Sequence, residues 1–381
     1  MTALPEKHLV RKSFFGCNSA HGFHCFFDFF HDLTDAKITI IKGGPGTGKS
    51  TFLKQIAEEM RNQGFSVEQQ HCSLDPDSLD AIIVPEIKAV VTAATGHHVF
   101  DPKHPGAVDE IINLGRYWDE AGIRPHGKEI MAITAESDRC FKRAYRFLAA
   151  AHLVYTNRAE LTTEHQDFSK VNALYEALCA DLFTGHLLAD TVGPERHLFM
   201  NSITPEKTVS FMDTVVGPAT RLFVIHGAPG TGKSTLLSRL AAKARSRGHK
   251  VEYCHHPLDH HRISHLIIPA LDVVISTDAL KGFVKEEEHD LNAFLKPGIN
   301  TKQKEIKSDE DHYNAMINAA MEALVRAGRT HGKLEQYYIP HMNFEQVDRC
   351  MANTIEQVLR HAETYYAFTR RSTTKEKELC S

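Results

Sequence analysis

The fold is decided by an eight-residue stretch that occurs twice, as Gly43-Gly44-Pro45-Gly46-Thr47-Gly48-Lys49-Ser50 and as Gly227-Ala228-Pro229-Gly230-Thr231-Gly232-Lys233-Ser234. Both copies match G-x-x-x-x-G-K-[ST], the pattern of a glycine-rich turn that joins a strand to a helix and cradles phosphate. Thr51 and Thr235 follow, so PGTGKST is repeated letter for letter. The sequence therefore predicts two nucleoside triphosphate sites.

The residues of each copy have distinct expected roles. Glycines permit positive φ angles and close approach of backbone N–H groups to phosphate oxygens, and the helix N-terminus adds a partial positive charge. Lys49 and Lys233 are expected to reach the β- and γ-phosphates, and Ser50 and Ser234 to ligate Mg²⁺. The expected cofactors are ATP and Mg²⁺, held by residues Gly43 to Thr51 and Gly227 to Thr235.

The second half of the chain repeats the first. An offset of 184 aligns the two stretches and continues without a gap to Pro85 and Pro269. Offsets of 185 upstream and 176 downstream extend the repeat over nearly the whole chain. The pair Gly193-Pro194 is typical of a linker between domains. Two domains are therefore predicted, at residues 1–191 and 192–381, with a polar tail from about residue 370.

The order of elements within each half predicts an α/β fold. Apolar runs alternate with helical patterns, which is typical of a mainly parallel sheet flanked by helices. The predicted helices after the glycine stretches are Lys49–Asn62 and Lys233–Arg247, and further helical stripes end each half. The predicted strands are Ile38–Ile41, Ser66–His71, Ala81–Val84 and Lys88–Thr92, then Leu222–Ile225, Lys250–His255, Leu266–Ile268 and Val273–Ser276. The fold class is thus two tandem P-loop NTPase domains.

Composition limits the partners. The net charge of −4 and the pI of about 6.7 give no general attraction to nucleic acid or anionic lipid. The basic run Lys243–Arg247 is the only support for nucleic acid, and a helix C-terminus explains it equally well. Residues 1–10 do not resemble a secretory signal, no stretch approaches about 18 apolar residues, and the eight cysteines form no C-x-x-C pair. A cytoplasmic protein with reduced thiols is expected.

Asp75 and Asp259 are the candidate catalytic acids, because the repeat preserves both of them just after the second strand. This edge of a doubly wound sheet is where ligands bind. The motif Asp75-Pro76-Asp77 is similar to the D-x-D of small-molecule kinases of the P-loop class, in which such an acid orients metal or activates a hydroxyl. Helix or turn capping explains the same residues, and both interpretations stay open.

Histidines crowd the equivalent segment of the second half, at His255, His256, His260, His261 and His265. They could bind a transition metal, although no finger-like spacing pairs them with cysteine, or they could be solvated or capping side chains. His261 stands where the first half has Asp77, so the second site is expected to differ in chemistry. Arg11 and Arg196 are the arginines that both halves share; a structural ion pair is the favoured role over an arginine acting in trans.

A family resemblance rests on three segments: DPDSLD at 75–80, IIVPE at 82–86 and DPKHPGAVDEII at 101–112. With them the chain resembles a prokaryotic family of tandem P-loop proteins, known as ATPases or ATP-binding proteins without an assigned biological role. The resemblance covers nearly the full length and implies ATP binding and a cytoplasmic protein. The family pattern has an acid near Ala93, and this chain lacks it.

Three functions are compatible with these features. The first is a Mg²⁺-dependent ATPase whose two sites have unequal activity, with Lys49, Lys233, Asp75 and Asp259 as catalytic residues. The second is a kinase that phosphorylates a small molecule or nucleotide. The third is a non-enzymatic ATP-gated module that binds a protein partner.

Overall fold

The computed structural model describes residues 10–26, 36–93 and 101–379, which contain sixteen strands and seven α-helices. The strands are β1 (Val10–Phe14), β2 (Gly16–Ser19), β3 (Gly22–Cys25), β4 (Lys37–Lys42), β5 (Val67–His71), β6 (Leu79–Val84), β7 (Ala89–Ala93), β8 (Asp109–Asn113), β9 (Glu195–Leu198), β10 (Asn201–Ile203), β11 (Thr208–Ser210), β12 (Arg221–His226), β13 (Val251–His255), β14 (Ile263–Ile268), β15 (Val273–Ser276) and β16 (Glu287–Asp290). The helices are α1 (Lys49–Asn62), α2 (Glu120–Ile123), α3 (Gly127–His165), α4 (Phe168–Phe183), α5 (Lys233–Arg245), α6 (Gln303–Tyr338) and α7 (Phe344–Leu379).

The described chain forms two compact units, and neither is continuous in sequence. Unit 1 contains residues 10–15, 36–93, 101–137 and 328–379, and unit 2 contains residues 16–26 and 138–327. The repeat boundary predicted at 191/192 therefore groups the residues differently from these units. Each unit contains one of the two glycine stretches.

The sheet of unit 1 has the strand order β1-β5-β6-β7-β4-β8. All neighbouring strands are parallel except that β6 runs antiparallel to both β5 and β7. The reversals follow from short connections, a turn at residues 72–78 and the 3-10 helix Pro85–Ile87, because a parallel neighbour needs a longer crossover. The sheet is therefore mixed but mainly parallel, as the sequence predicts.

Helix α1 packs on this sheet through a stripe of buried side chains at Phe52, Leu53, Ile56, Ala57 and Met60. Their spacing places them on one face of the helix. Helix α7 lies beside α1 and adds Val347, Val358 and Ala362 to the same core. The first helix thus begins and ends at the residues predicted from the sequence.

Unit 2 repeats the arrangement with the order β16-β12-β15-β14-β13-β9, and β14 is antiparallel to its neighbours. Helices α4 and α5 pack together in a core with one face of the sheet. A second core lies on the other face of the sheet. There Met212 and Val216 pack with Leu198, Met200 and side chains of the sheet. The hairpins β2–β3 and β10–β11 form separate two-stranded sheets.

The helix that ends each repeat packs against the glycine-loop helix of the other repeat. Asp167-Phe168 at the start of α4 aligns with Asn343-Phe344 at the start of α7 in the sequence repeat. Nevertheless α4, from the first repeat, packs with α5 in unit 2, and α7, from the second repeat, packs with α1 in unit 1. Each unit is therefore completed by the C-terminal helix of the other repeat.

Helix α5 ends at Arg245, two residues before the predicted end. The basic run that follows is engaged within unit 2: Arg245 donates to Gly193 O at 2.9 Å, and Arg247 donates to His186 O at 3.0 Å. These bonds favour the helix-end interpretation of Lys243–Arg247. Over the three described ranges, no helix combines the length and apolar character needed to cross a bilayer.

Candidate functional site: two glycine loops

Loop 1 (Gly43–Ser50) connects β4 to α1 at the carboxyl end of a strand whose two neighbours, β7 and β8, run parallel to it. Gly46 and Gly48 have φ angles of 68° and 84°, in the left-handed region that favours glycine. A Cβ on Gly43 would lie 2.6 Å from Thr47 Oγ1. The tight curvature of the loop therefore requires these glycines.

The side chain of Lys49 binds two backbone carbonyl groups of loop 1. Its Nζ donates to Gly44 O at 2.6 Å and to Gly43 O at 3.2 Å. Burial lowers the pKa of Lys49 to about 8, while the nearby carboxylates of Asp80 and Glu335 act in the opposite direction. A partly buried ammonium held by neutral carbonyls is a ready partner for an anion.

Ser50 faces the start of β6. The backbone N–H of Leu79 donates to Ser50 Oγ at 3.0 Å. A hydroxyl oxygen has two lone pairs, so this bond leaves one for a metal ion.

Asp80 follows Leu79 directly, and burial raises the pKa of its carboxyl to about 7, against the lowering effects of the Cys72 thiol and Lys49. Loop 1 thus has a protonatable carboxyl group beside its lysine.

Large side chains of unit 1 pack against the outside of loop 1. A Cβ atom built on Gly44 would lie 3.1 Å from the ring of Trp118 and 3.5 Å from the ring of Tyr338. A Cβ atom built on Gly46 would lie 2.7 Å from Ile339 Cγ1. Trp118 and Tyr338 have ring centroids 5.6 Å apart. The loop is therefore fixed from both sides, by Lys49 inside and by these residues outside.

Loop 2 (Gly227–Ser234) has the same geometry between β12 and α5. Gly230 and Gly232 have φ angles of 85° and 94°. Lys233 Nζ donates to Gly227 O and, at 3.0 Å, to Ala228 O. Ser234 Oγ accepts from the backbone N–H of Ile263 at 2.8 Å. Every main contact of loop 1 thus has a repeat-related counterpart.

Loop 2 is also packed from outside. Thr163 Oγ1 donates to Gly230 O at 3.0 Å, and Gln166 Nε2 donates to Thr231 O at 3.2 Å. A Cβ on Gly230 would come within 2.0 Å of Ala159 O, so that position tolerates only glycine.

The charges around the two lysines differ. Burial lowers the pKa of Lys233 to about 8, Arg262 lowers it further, and Asp278 and Asp290 raise it. Arg262 aligns with Ser78 in the repeat, and Ser264 aligns with Asp80. Loop 2 therefore has a second cation near its lysine and has a serine where loop 1 has the carboxyl group of Asp80.

Asp278 lies two residues past β15, the parallel neighbour of β12. It accepts from Asn201 Nδ2 at 2.7 Å and lies 3.6 Å from the buried His265. His265 in turn contacts Ser276 Oγ at 2.9 Å. Asp290, the last residue of β16, pairs in register with His226 directly before loop 2, so two carboxylates lie at this edge of the sheet.

The predicted catalytic acids cap turns. Asp75 is exposed and accepts from Asp77 N at 3.3 Å and from Ser78 Oγ at 2.6 Å. Asp259 accepts from His261 N at 3.1 Å. Burial opposes ionisation of Asp259, but the His261 N–H and His152 outweigh it and lower its pKa. These contacts favour the capping interpretation.

The shared arginines form ion pairs across neighbouring strands. Arg11 lies 3.8 Å from Glu68, and Arg196 lies 3.7 Å from Glu252. Both glutamates are repeat-related as well. The favoured structural interpretation is confirmed.

The five clustered histidines separate into different surroundings. His255 contacts His197 at 2.8 Å and the carbonyl of His260 at 2.5 Å, and burial lowers its pKa to about 3. Burial lowers the pKa of His256 to about 4. The rings of His260 and His261 lie 5.3 Å and 5.4 Å from the ring of His21, and His261 is exposed.

Sequence reasoning missed Asp80, Arg262 and Trp118. The repeat preserves neither Asp80 nor Arg262, so comparison of the two halves does not identify them. Their position is the available signal, because Asp80 is the second residue of β6 and Arg262 directly precedes β14. Comparisons of the chain with protein-family models, with curated proteins and with solved structures give no match.

Proposed function

We propose that this chain is a Mg²⁺-dependent ATPase of the P-loop class, with one ATP site at each glycine loop and unequal activity at the two. One observation carries the proposal. In both loops a partly buried lysine bridges the loop carbonyls, and a serine hydroxyl accepts a hydrogen bond from the first N–H of an antiparallel strand. A chance glycine turn has no reason to reproduce both contacts in two units.

At loop 1 the residues suit phosphate binding. The backbone N–H groups and Lys49 would bind the phosphate oxygens, with Lys49 exchanging carbonyl acceptors for charged ones. Ser50 Oγ fits Mg²⁺, and Mg²⁺ neutralises charge on the β- and γ-phosphates when bound. Asp80 would hold or accept the proton of the attacking water. A carboxyl whose pKa is raised to about 7 matches that role at neutral pH.

At loop 2 the binding groups are the same but the acid is different. Ser264 replaces Asp80, and Arg262 adds positive charge near Lys233. This composition favours retention of the triphosphate over activation of water. Asp278 and Asp290 are the remaining acids, and each already accepts a hydrogen bond, Asp278 from Asn201 Nδ2 and Asp290 from Asn292 N. Loop 2 is therefore the slower site in this proposal.

The kinase alternative has less support, because Asp75 is committed to the Asp77 and Ser78 turn contacts. It is tested by screening nucleosides and small alcohols for acceptor-dependent release of ADP. A non-enzymatic module would bind ATP without turnover and would release a protein partner when the nucleotide is removed.

The decisive experiment measures Mg²⁺-dependent phosphate release by the full chain and by K49A, K233A, D80N and the double lysine variant. D80N is expected to lower turnover at least about 100-fold, the low end for loss of a general base. K233A is expected to retain more turnover than K49A. D77N, an exposed acid of the same segment, serves as the matched control. Turnover that survives in the double lysine variant contradicts the ATPase proposal.

A further inference from the structure

We propose that unit 2 carries a site for a divalent transition metal, of the kind that takes Zn²⁺, formed by His21, Asp259 and His261. One ligand atom from each residue lies within 4.8 Å of the other two. The site shares no residue with either glycine loop, and it uses residues that are distant in sequence.

Two independent segments bring the three residues together. His21 lies in the turn between β2 and β3, and Asp259 and His261 lie in the turn between β13 and β14. The backbone N–H of Ala20 donates to Leu258 O at 2.9 Å and fixes the first turn against the second. The residues next to the ligands are thus joined by a backbone hydrogen bond, which holds the ligands near one another.

The carboxylate of Asp259 is oriented toward the other two ligands. Its Oδ2 contacts His152 Nε2 at 3.3 Å, while its Oδ1 accepts from His261 N at 3.1 Å and lies 3.8 Å from His21 Nε2. Partners of this kind, which hold a ligand without binding the metal, commonly tune metal sites. His152 would take that supporting role.

The donor set indicates the class of metal. Imidazole nitrogens suit zinc and related transition ions, whereas Mg²⁺ and Ca²⁺ prefer sites made of oxygen ligands. Zinc–nitrogen distances of about 2.0–2.1 Å place tetrahedral ligands about 3.3 Å apart. His21 and His261 are both exposed, so their side chains can rotate to close the difference from 4.8 Å.

Two further histidines lie beside the three ligands. His24 and His260 stack with centroids 3.7 Å apart, and His260 lies 5.3 Å from His21. The three protein ligands leave a coordination position open to solvent, because His21 and His261 are both exposed.

The test is a titration of the full chain, stripped by a chelator and dialysed, with Co²⁺ followed by displacement with Zn²⁺. Visible d–d absorption is expected at one Co²⁺ per chain, without a thiolate charge-transfer band. H21Q, H261Q and D259N are each expected to weaken binding at least about tenfold, since changes to supporting residues alone cost about 10–100-fold. Asn at position 259 keeps an oxygen to accept from His261 N, which preserves the turn.

H312Q removes an exposed histidine of α6 and is the matched control, with unchanged binding expected. Circular dichroism establishes that each variant is folded, and Zn²⁺ should raise the melting temperature of the wild type but not of H21Q. Absence of stoichiometric Co²⁺ binding by the wild type would overturn the proposal. Wild-type affinity in all three folded ligand variants would do so as well. Neither outcome depends on ATP turnover.

Discussion

Leu79 donates its backbone N–H to the Oγ of Ser50 at 3.0 Å, across 29 positions of the sequence. Ile263 does the same for Ser234 at 2.8 Å. The contact is possible because β6 and β14 fold back antiparallel and present their first N–H to the helix that follows each glycine loop. The next residue of each strand differs, Asp80 in one and Ser264 in the other. The same backbone contact at the two loops is therefore followed by a carboxyl group beside loop 1 and by a hydroxyl group beside loop 2.

Asp80 should make stability depend on pH in the nucleotide-free protein. Its pKa is about 7 in the folded chain and 3.8 for an unperturbed aspartate, so between these values the folded state holds a proton that the unfolded state releases. The free energy of unfolding therefore falls as pH rises from about 4 to 7, and this contribution is constant above 7. The slope from one group is at most about 1.4 kcal/mol per pH unit.

The measurement is urea denaturation of the wild type and D80N at several pH values. From pH 4 to 7, the free energy of unfolding of the wild type is expected to fall relative to that of D80N. Above pH 7, the difference between the two free energies is expected to stay constant. D77N controls for removal of a carboxylate from the same segment. A difference between the wild type and D80N that does not change with pH contradicts the raised pKa.

Trp118 is the only tryptophan of the chain and reports on loop 1. It packs 3.1 Å from the Cβ position of Gly44 and is half-buried. Binding of MgATP at loop 1 should therefore change its fluorescence. K49A should weaken that response about 10–100-fold, as expected for the loss of charged hydrogen bonds. K233A should leave it intact, and a response that is lost in K233A but kept in K49A would refute the assignment.

Gly46 and Gly332 form a contrasting pair in unit 1. Gly46 has a φ of 68°, and a Cβ there would lie 2.7 Å from Ile339 Cγ1, so G46A should destabilise the protein by about 1–3 kcal/mol. Gly332 lies inside α6 with no atom within 4 Å of its Cβ position. G332A should stabilise by about 0.4–1 kcal/mol, because it restricts the unfolded chain. Thermal and urea unfolding measure both, and equal effects of the two substitutions would contradict the strained loop.

Local signals were sufficient to predict much of the fold. Helix α1 has the predicted bounds because a glycine turn, an apolar stripe and the following Gly64 mark it, and strand β15 has them because it is a short apolar run after Pro269. The exchange of α4 and α7 was not predictable. An apolar stripe shows that a helix face is buried, but α4 and α7 carry repeat-related stripes and the sequence does not say which sheet each one covers.

Some residues of the candidate sites can also be predicted from local sequence, and others cannot. The loop residues are identified by a contiguous motif, whereas the position of Asp80 beside Lys49 depends on the antiparallel return of β6. His21 and Asp259 are 238 residues apart and meet only through the packing of two turns. Contacts of this range leave no periodic trace in one sequence.

The last prediction concerns the ion pairs of Arg196 and Arg11. Side chains of Arg196 and Glu252 are 6% and 2% exposed, against 21% and 13% for Arg11 and Glu68. R196M leaves the Glu252 carboxylate buried without its arginine, and loss of one partner of a buried pair costs about 3–5 kcal/mol. Lys250, 3.5 Å from Glu252, places the expected loss near the lower value.

R11M should cost less, because water reaches the carboxylate of Glu68. Equilibrium urea unfolding followed by circular dichroism gives both values. The double variant R196M/E252M should recover much of the loss, since it removes the buried charge together with its partner. Equal losses in R11M and R196M, or no recovery in the double variant, would show that burial of Glu252 does not control this part of the stability.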